Sequence, residues 1–179
     1  METKQTKVIN LFGGPCVGKS VLAAELFYNV KKKHIKAELV REYIKDWAWE
    51  HRKVGQYDQI YIAGKQCRRE SMLYGKVDII VTDSPILLSP FYQDYYSQID
   101  IIKPSILKFI DYAKTTGVKY YNYYIKRETK YDAEGRYETE DQAKTLDVAL
   151  ERWLRDHGIG FTVVKGSEKA EDILKDVLS

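Results

Sequence analysis

Apolar positions along this chain switch between short unbroken runs and stripes at helical spacing. Residues 7–12 (KVINLF) are β-rich and end at glycines, which predicts a buried strand. Residues 19–33 follow, with Val21, Leu22, Leu26 and Val30 on a helical stripe that ends in a lysine run. Lysines in a last turn complement the negative end of the helix dipole, so the run reads as a cap. Ala37–Val40 predicts a second strand and residues 42–53 a short helix. Residues 57–74 predict a longer helix that gathers Ile60, Ala63, Cys67 and Leu73. Residues 77–82 (VDIIVT) are apolar without alternation, the pattern of a strand covered on both faces. Pro85 and Pro90 then predict irregular backbone.

The second half repeats the alternation. A helix is expected over residues 104–116, a strand over Val118–Ile125 and a polar loop over residues 126–138. A helix over 139–158 sets Ala143, Leu146, Ala149, Leu150 and Trp153 on one side and stops at Gly158. A last strand over 160–164 and a last helix over 168–178 complete the pattern. Five strands alternating with helices, with no linker or repeat, predict one α/β domain over residues 1–179. Its sheet is expected to be parallel and doubly wound. Such sheets bind ligands beyond the carboxyl ends of their strands, where Gly13, Glu42, Asp83 and Lys126 fall.

Composition narrows the class. With 44% hydrophobic and 31% charged residues, the chain is not disordered as a whole. A net charge of +3 is too small for binding nucleic acid by bulk charge and leaves only a local patch for it. The apolar runs are too short to cross a bilayer, and residues 1–7 lack the apolar stretch of a signal peptide. Two cysteines, Cys16 and Cys67, make neither a disulfide framework nor a zinc site alone. The expectation is a cytoplasmic protein, in the host cytoplasm if phage-encoded, with no membrane partner. Fifteen tyrosines are unusual; most read as packing rings with a wet hydroxyl, a few as stacking surfaces for planar ligands.

The sharpest motif is Gly13-Gly14-Pro15-Cys16-Val17-Gly18-Lys19-Ser20, which fits G-x-x-x-x-G-K-[ST] between a strand and a helix. Glycine conformations at the bends let successive N–H groups converge on a phosphate. The nucleotide is expected against this loop and Val21. Lys19 supplies a cation to the β- and γ-phosphates, Ser20 a hydroxyl for Mg²⁺, and the helix its positive end. This predicts a site for a nucleotide triphosphate; the motif itself does not choose between ATP and GTP, and the expected cofactors are ATP and Mg²⁺.

The remaining polar residues choose among motor, switch and kinase. Asp83 closes the third strand in Val81-Thr82-Asp83-Ser84-Pro85, beside the loop in the usual topology. There it holds a magnesium-bound water or takes a proton from an attacking hydroxyl; the plain alternative is a turn-forming aspartate. Glu42, just past the second strand, faces the acceptor side as a base or hydroxyl-orienting group, or else serves as a carboxylate at a helix start. Asp46 is a weaker candidate one turn along. The loop over 126–138 suits a lid that excludes water. Arg127 and Arg136, with Lys130 behind them, are its candidate cations for the transferring group.

The chain resembles the ribosylnicotinamide-kinase-type P-loop family, in particular its short stand-alone phage and bacterial members. The resemblance runs through the phosphate loop, Glu42-Tyr43, the glutamines Gln59 and Gln66, and Thr82-Asp83-Ser84-Pro85. It continues through the lid segment Tyr131-Asp132-Ala133-Glu134-Gly135-Arg136 and residues 146–164. It implies that Glu42 and Asp83 sit by the acceptor and magnesium and that Arg136 belongs to the lid. Three readings stand at this point. One is a kinase acting on a nucleoside or nucleotide hydroxyl, with Tyr43, Trp47, Trp49, Gln59 or Gln66 against the acceptor and Arg68-Arg69 near any phosphate on it. Another is a DNA-directed kinase, similar to phage enzymes that phosphorylate 5-hydroxymethylpyrimidines in DNA. The third is a regulatory module that hydrolyses ATP slowly.

Overall fold

The computed structural model describes residues 5–55, 57–96, 100–128, 139–165 and 169–179. The elements run β1 (Thr6–Phe12), α1 (Lys19–Lys32), β2 (Ala37–Val40), α2 (Lys45–Trp49), α3 (Asp58–Ser71), β3 (Ile79–Thr82) and α4 (Leu88–Tyr96). They continue as α5 (Lys103–Thr115), β4 (Val118–Ile125), α6 (Glu140–Asp156), β5 (Thr162–Val164) and α7 (Lys169–Leu178). The expected five-stranded parallel sheet forms, in the order β2-β3-β1-β4-β5.

Both sheet faces are covered, which is why the strands lack alternation. On one side Ile9 and Leu11 pack with Leu22, Leu26 and Val30 of α1 and with Ile173, Leu174 and Val177 of α7. On the other, Phe12 and Tyr124 meet Phe91, Ile106, Ile110, Leu146, Leu150 and Trp153. Each fully buried Leu, Ile or Phe stabilises the fold by about 1.5–3 kcal/mol. Among the described residues no helix is long and apolar enough to cross a membrane.

Four local expectations are corrected. Residues 88–96 form a helix although Pro90 lies among them. Pro90 occupies the first turn, where its missing N–H has no intrahelical partner to lose. Asp94 then ties α4 to its neighbours, accepting from Lys103 Nζ at 3.0 Å and Trp153 Nε1 at 2.8 Å. The helix expected over 42–53 contracts to α2, and His51 takes a positive φ of 52° just past it. Val21 stands 75% exposed, off the stripe made by Leu22, Leu26 and Val30. On α3 the inward face is Ile62, Ala63, Gln66 and Glu70, while Ile60 points out, half exposed. Two polar residues on a buried face disguise its periodicity.

The order of the strands positions the site. The chain crosses from β1 out to β2, and β3 returns to lie between them, so the ends of β1 and β3 are adjacent. Register pairs Asn10 with Thr82 and Thr82 with Val40, which brings the segments after all three strands to one edge. A doubly wound sheet opens its crevice at such a reversal.

Candidate active site

Residues 13–20 bridge β1 and α1 as the motif requires. Cys16 (φ 60°) and Gly18 (φ 88°) are left-handed, and alternation of this kind turns successive amides toward a common centre. Gly18 is also the residue before the first turn of α1, and a Cβ there would meet nothing within 4 Å. Lys19 folds back over its own loop, donating Nζ to Gly13 O at 2.8 Å and Gly14 O at 2.7 Å. Ser20 is exposed in the first turn of α1.

A residue outside the motif braces the loop. Asp147 on α6 accepts the Gly14 N–H on Oδ1 at 2.9 Å and Arg127 Nε on Oδ2 at 2.6 Å. Arg127 also donates Nη2 to Pro15 O at 2.7 Å, while its Nη1 is buried and makes no hydrogen bond. A Cβ on Gly14 would lie 2.2 Å from Asp147 Oδ1, so only glycine admits this approach. Tyr124 fixes the turn of α6 behind it by donating its hydroxyl to Asp147 O at 2.6 Å. Burial, with the Asp147 carboxylate next in importance, raises the Tyr124 phenol above its ordinary range and keeps it a donor. Sequence reasoning missed Asp147, whose only local signal is an acidic residue beside the apolar Leu146.

Asp83 is buried at the end of β3 and accepts the Glu42 N–H on Oδ1 at 3.2 Å. The two carboxylate-bearing segments are thereby joined across β2 and β3. Gln66 reinforces the joint from α3. Its Oε1 accepts Tyr43 N–H at 3.1 Å and its Nε2 donates to Ser84 O at 3.0 Å. The sequence places Gln66 against the acceptor; at 3% exposure it instead satisfies two backbone groups. Gln59 is half-buried and Asp46 exposed. Trp47 is buried against Tyr43 and Tyr61, whereas Trp49 is 56% exposed.

Of the loop 126–138, expected to be a lid, residues 126–128 are described. Lys126 pairs with Glu151 at 2.5 Å and Glu128 with Lys169 at 2.6 Å, anchoring it to α6 and α7. Lys130, Arg136 and the segment 131–136 lie outside the described residues. Among the described residues, no group of three or more His, Cys, Asp or Glu converges as a metal cage. Ser20 and Asp83 offer hydroxyl and carboxylate oxygens that suit Mg²⁺, a hard cation that completes its shell with phosphate and water oxygens.

Solved structures share this architecture. Deoxyadenosine kinase from M. mycoides with bound dATP is 17% identical, with a TM-score of 0.53 over 96% of this chain and 99% of that one. NadR in complex with NR is 16% identical, with a TM-score of 0.61 over 97% of this chain and 50% of that one. The Mycobacterium tuberculosis APS kinase CysC with AMPPNP and APS is 13% identical, with a TM-score of 0.55 over 97% and 98%. At these identities the likeness is one of fold. No curated protein matches the sequence. A family model described as AAA domain matches residues 8–170, nearly the whole chain, phosphate loop and paired strand ends included. The chain belongs to the AAA domain family (AAA_28).

Proposed function

We propose that this protein is an ATP-dependent phosphotransferase that moves the γ-phosphoryl group to a hydroxyl of a nucleoside- or nucleotide-type acceptor. The observation that carries the reading is the bond from Glu42 N–H to Asp83 Oδ1, which holds two carboxylate-bearing segments together beside the phosphate loop. Two carboxylates suit a reaction with two needs, a metal held at the phosphates and a hydroxyl oriented for attack. Fold likeness to structures named as deoxyadenosine kinase and APS kinase supports phosphoryl transfer and leaves the acceptor to local residues.

Phosphoryl transfer asks the protein mainly to position groups and neutralise charge. The loop amides and Lys19 grip the triphosphate, Lys19 exchanging its two carbonyl partners for phosphate oxygens. Ser20 and Asp83 would hold Mg²⁺, which supplies positive charge across the phosphates. Arg127 has a buried Nη1 without a partner, a donor available to the nucleotide. Glu42 orients the acceptor hydroxyl and takes its proton. The acceptor oxygen bonds to the γ-phosphorus as the bond to the β–γ bridging oxygen breaks, and ADP leaves with that electron pair. Arg136, which lies outside the described residues, is proposed as a further cation for the transferring group.

The test is ADP release with a panel of nucleosides, monophosphates and modified DNA oligonucleotides. An active acceptor should stimulate release, and Glu42→Gln should lower the stimulated turnover by about 10²–10⁴. If no acceptor stimulates release and Glu42→Gln leaves a slow basal hydrolysis intact, the protein is a regulatory ATPase and this reading falls. A hydroxymethylated base in DNA is a second acceptor reading, favoured by the exposed cations Arg52 and Lys65 over the rings of Trp47 and Tyr61.

A further inference from the structure

Three rings after β2 form one cluster. Trp47 and Tyr61 are stacked with centroids 6.2 Å apart, and Tyr43 meets them edge-on at 6.2 and 5.7 Å. Tyr43 donates its hydroxyl to that of Tyr61 at 2.8 Å. Each ring carries its own cation. The Arg52 guanidinium lies 3.4 Å from the Trp47 centroid, that of Arg69 4.9 Å from Tyr43, and Lys65 Nζ 5.2 Å from Tyr61.

Hydrophobic packing alone does not call for three cations in one place. Like charges repel, and each ring's quadrupole offsets that by only about 0.5–1 kcal/mol at an exposed site. Lys65 and Arg69 make no ion pair with a carboxylate among the described residues. The charge is also local. Residues 41–69 hold seven Lys and Arg against four Asp and Glu, an excess of +3 that equals the net charge of the whole chain. A guanidinium carries several N–H donors in a planar fork that matches a phosphate, so one beside a ring has donors to offer it.

The cluster is fastened to the transfer site. Arg69 donates Nη1 to Arg41 O at 3.3 Å, the carbonyl directly before Glu42. Tyr43 directly follows Glu42, and its N–H is held by Gln66. We infer that Arg52, Lys65 and Arg69 form an acceptor-phosphate subsite, so that the acceptor arrives already carrying a phosphate while its hydroxyl faces Glu42. This rests on the kinase reading for its location and fixes the acceptor as a nucleotide in preference to a neutral nucleoside. The phosphate belongs either to a free monophosphate or to a nucleotide within a strand.

Calorimetric titration of the full chain with a nucleoside, its 5′-monophosphate and a short single-stranded oligonucleotide tests binding, alongside ADP release in the same samples. The monophosphate unit should bind at least about tenfold tighter than the nucleoside. Arg69→Met and Lys65→Met should each shrink that ratio severalfold, while ATP binding in the same preparations reports whether the variants are folded. A preference for the oligonucleotide with a steep salt dependence assigns the phosphate to a strand; a preference for the monophosphate assigns it to a free nucleotide. Equal affinity for nucleoside and monophosphate, unmoved in folded Arg69→Met, overturns the subsite and leaves the cations as covers for exposed rings. Arg69-dependent monophosphate binding without acceptor-stimulated ADP release keeps the subsite and discards the kinase reading. Release stimulated by nucleosides alone does the reverse.

Discussion

Asp147 reaches from α6 into the phosphate loop and takes the Gly14 N–H at 2.9 Å, across 133 residues of sequence. The same carboxylate holds Arg127, which in turn holds Pro15 O, so the phosphate loop, the residues after β4 and α6 are braced by one side chain. Rigid support of this kind keeps the remaining loop amides aimed at one point before the nucleotide arrives.

Asp147→Ala should therefore destabilise the protein by about 1.5–3 kcal/mol, the usual effect of losing hydrogen bonds to a charged group, and raise KM for ATP. Gly14→Ala should be at least as damaging because its Cβ would meet Asp147 Oδ1 at 2.2 Å, whereas the double variant should recover part of the loss. Urea unfolding and ATP kinetics on the two single variants and the double check this. Strictly additive effects would show that the contact carries no coupling.

Lys19→Ala should abolish turnover, because no other group on the loop supplies a mobile cation to the phosphates. Asp83→Asn should lower kcat more than it weakens ATP binding, since its carboxylate is assigned to the reacting end of the triphosphate. Steady-state kinetics with an active acceptor separate the two effects. Unchanged turnover in Asp83→Asn would remove that residue from the chemistry.

Gln66→Leu keeps the side-chain volume but deprives Tyr43 N–H and Ser84 O of their partners. Each buried group left unsatisfied costs about 1–3 kcal/mol. The segments bearing Glu42 and Asp83 lose registry, so acceptor-dependent kcat/KM should fall more than ATP affinity. Equal loss on both substrates would mean that Gln66 serves stability alone.

Glu70 is fully buried on α3, and this burial pushes its carboxyl up to about 7 from the ordinary 4.5. Tyr74 donates to Oε1 at 2.5 Å, which partly opposes the rise, while Oε2 is buried without a partner. The folded state holds this proton more tightly than the unfolded state. Stability from this group is therefore greatest below about pH 4.5, declines up to about pH 7 and is level above it, a loss of about 3 kcal/mol. Glu70→Gln should remove that decline and be the more stable protein at about pH 8. Urea midpoints for both proteins across this window decide it. Parallel pH profiles would mean that Glu70 does not titrate on folding.

The residues by themselves determined the class of this protein and the first half of its site. An unbroken apolar run is visible locally because a two-sided strand needs no polar face, and the loop motif is visible because eight consecutive residues carry its geometry. Thus β1, β3, β4 and residues 13–20 lie where periodicity and spacing put them, and Glu42 and Asp83 stand at strand ends. Tertiary structure decided what lies across the chain. Pro90 looks like a breaker in the sequence, which does not show that α4 begins two residues earlier. The structural use of Gln66 is invisible in the sequence because its two partners, Tyr43 and Ser84, come from different loops. Asp147 shows in the sequence only as an acidic residue beside an apolar one, because its use depends on α6 packing beside β4 and presenting one carboxylate to Gly14. Local pattern records which face of an element is apolar; which polar atoms then meet is settled only when the packed layers bring distant segments within hydrogen-bond reach.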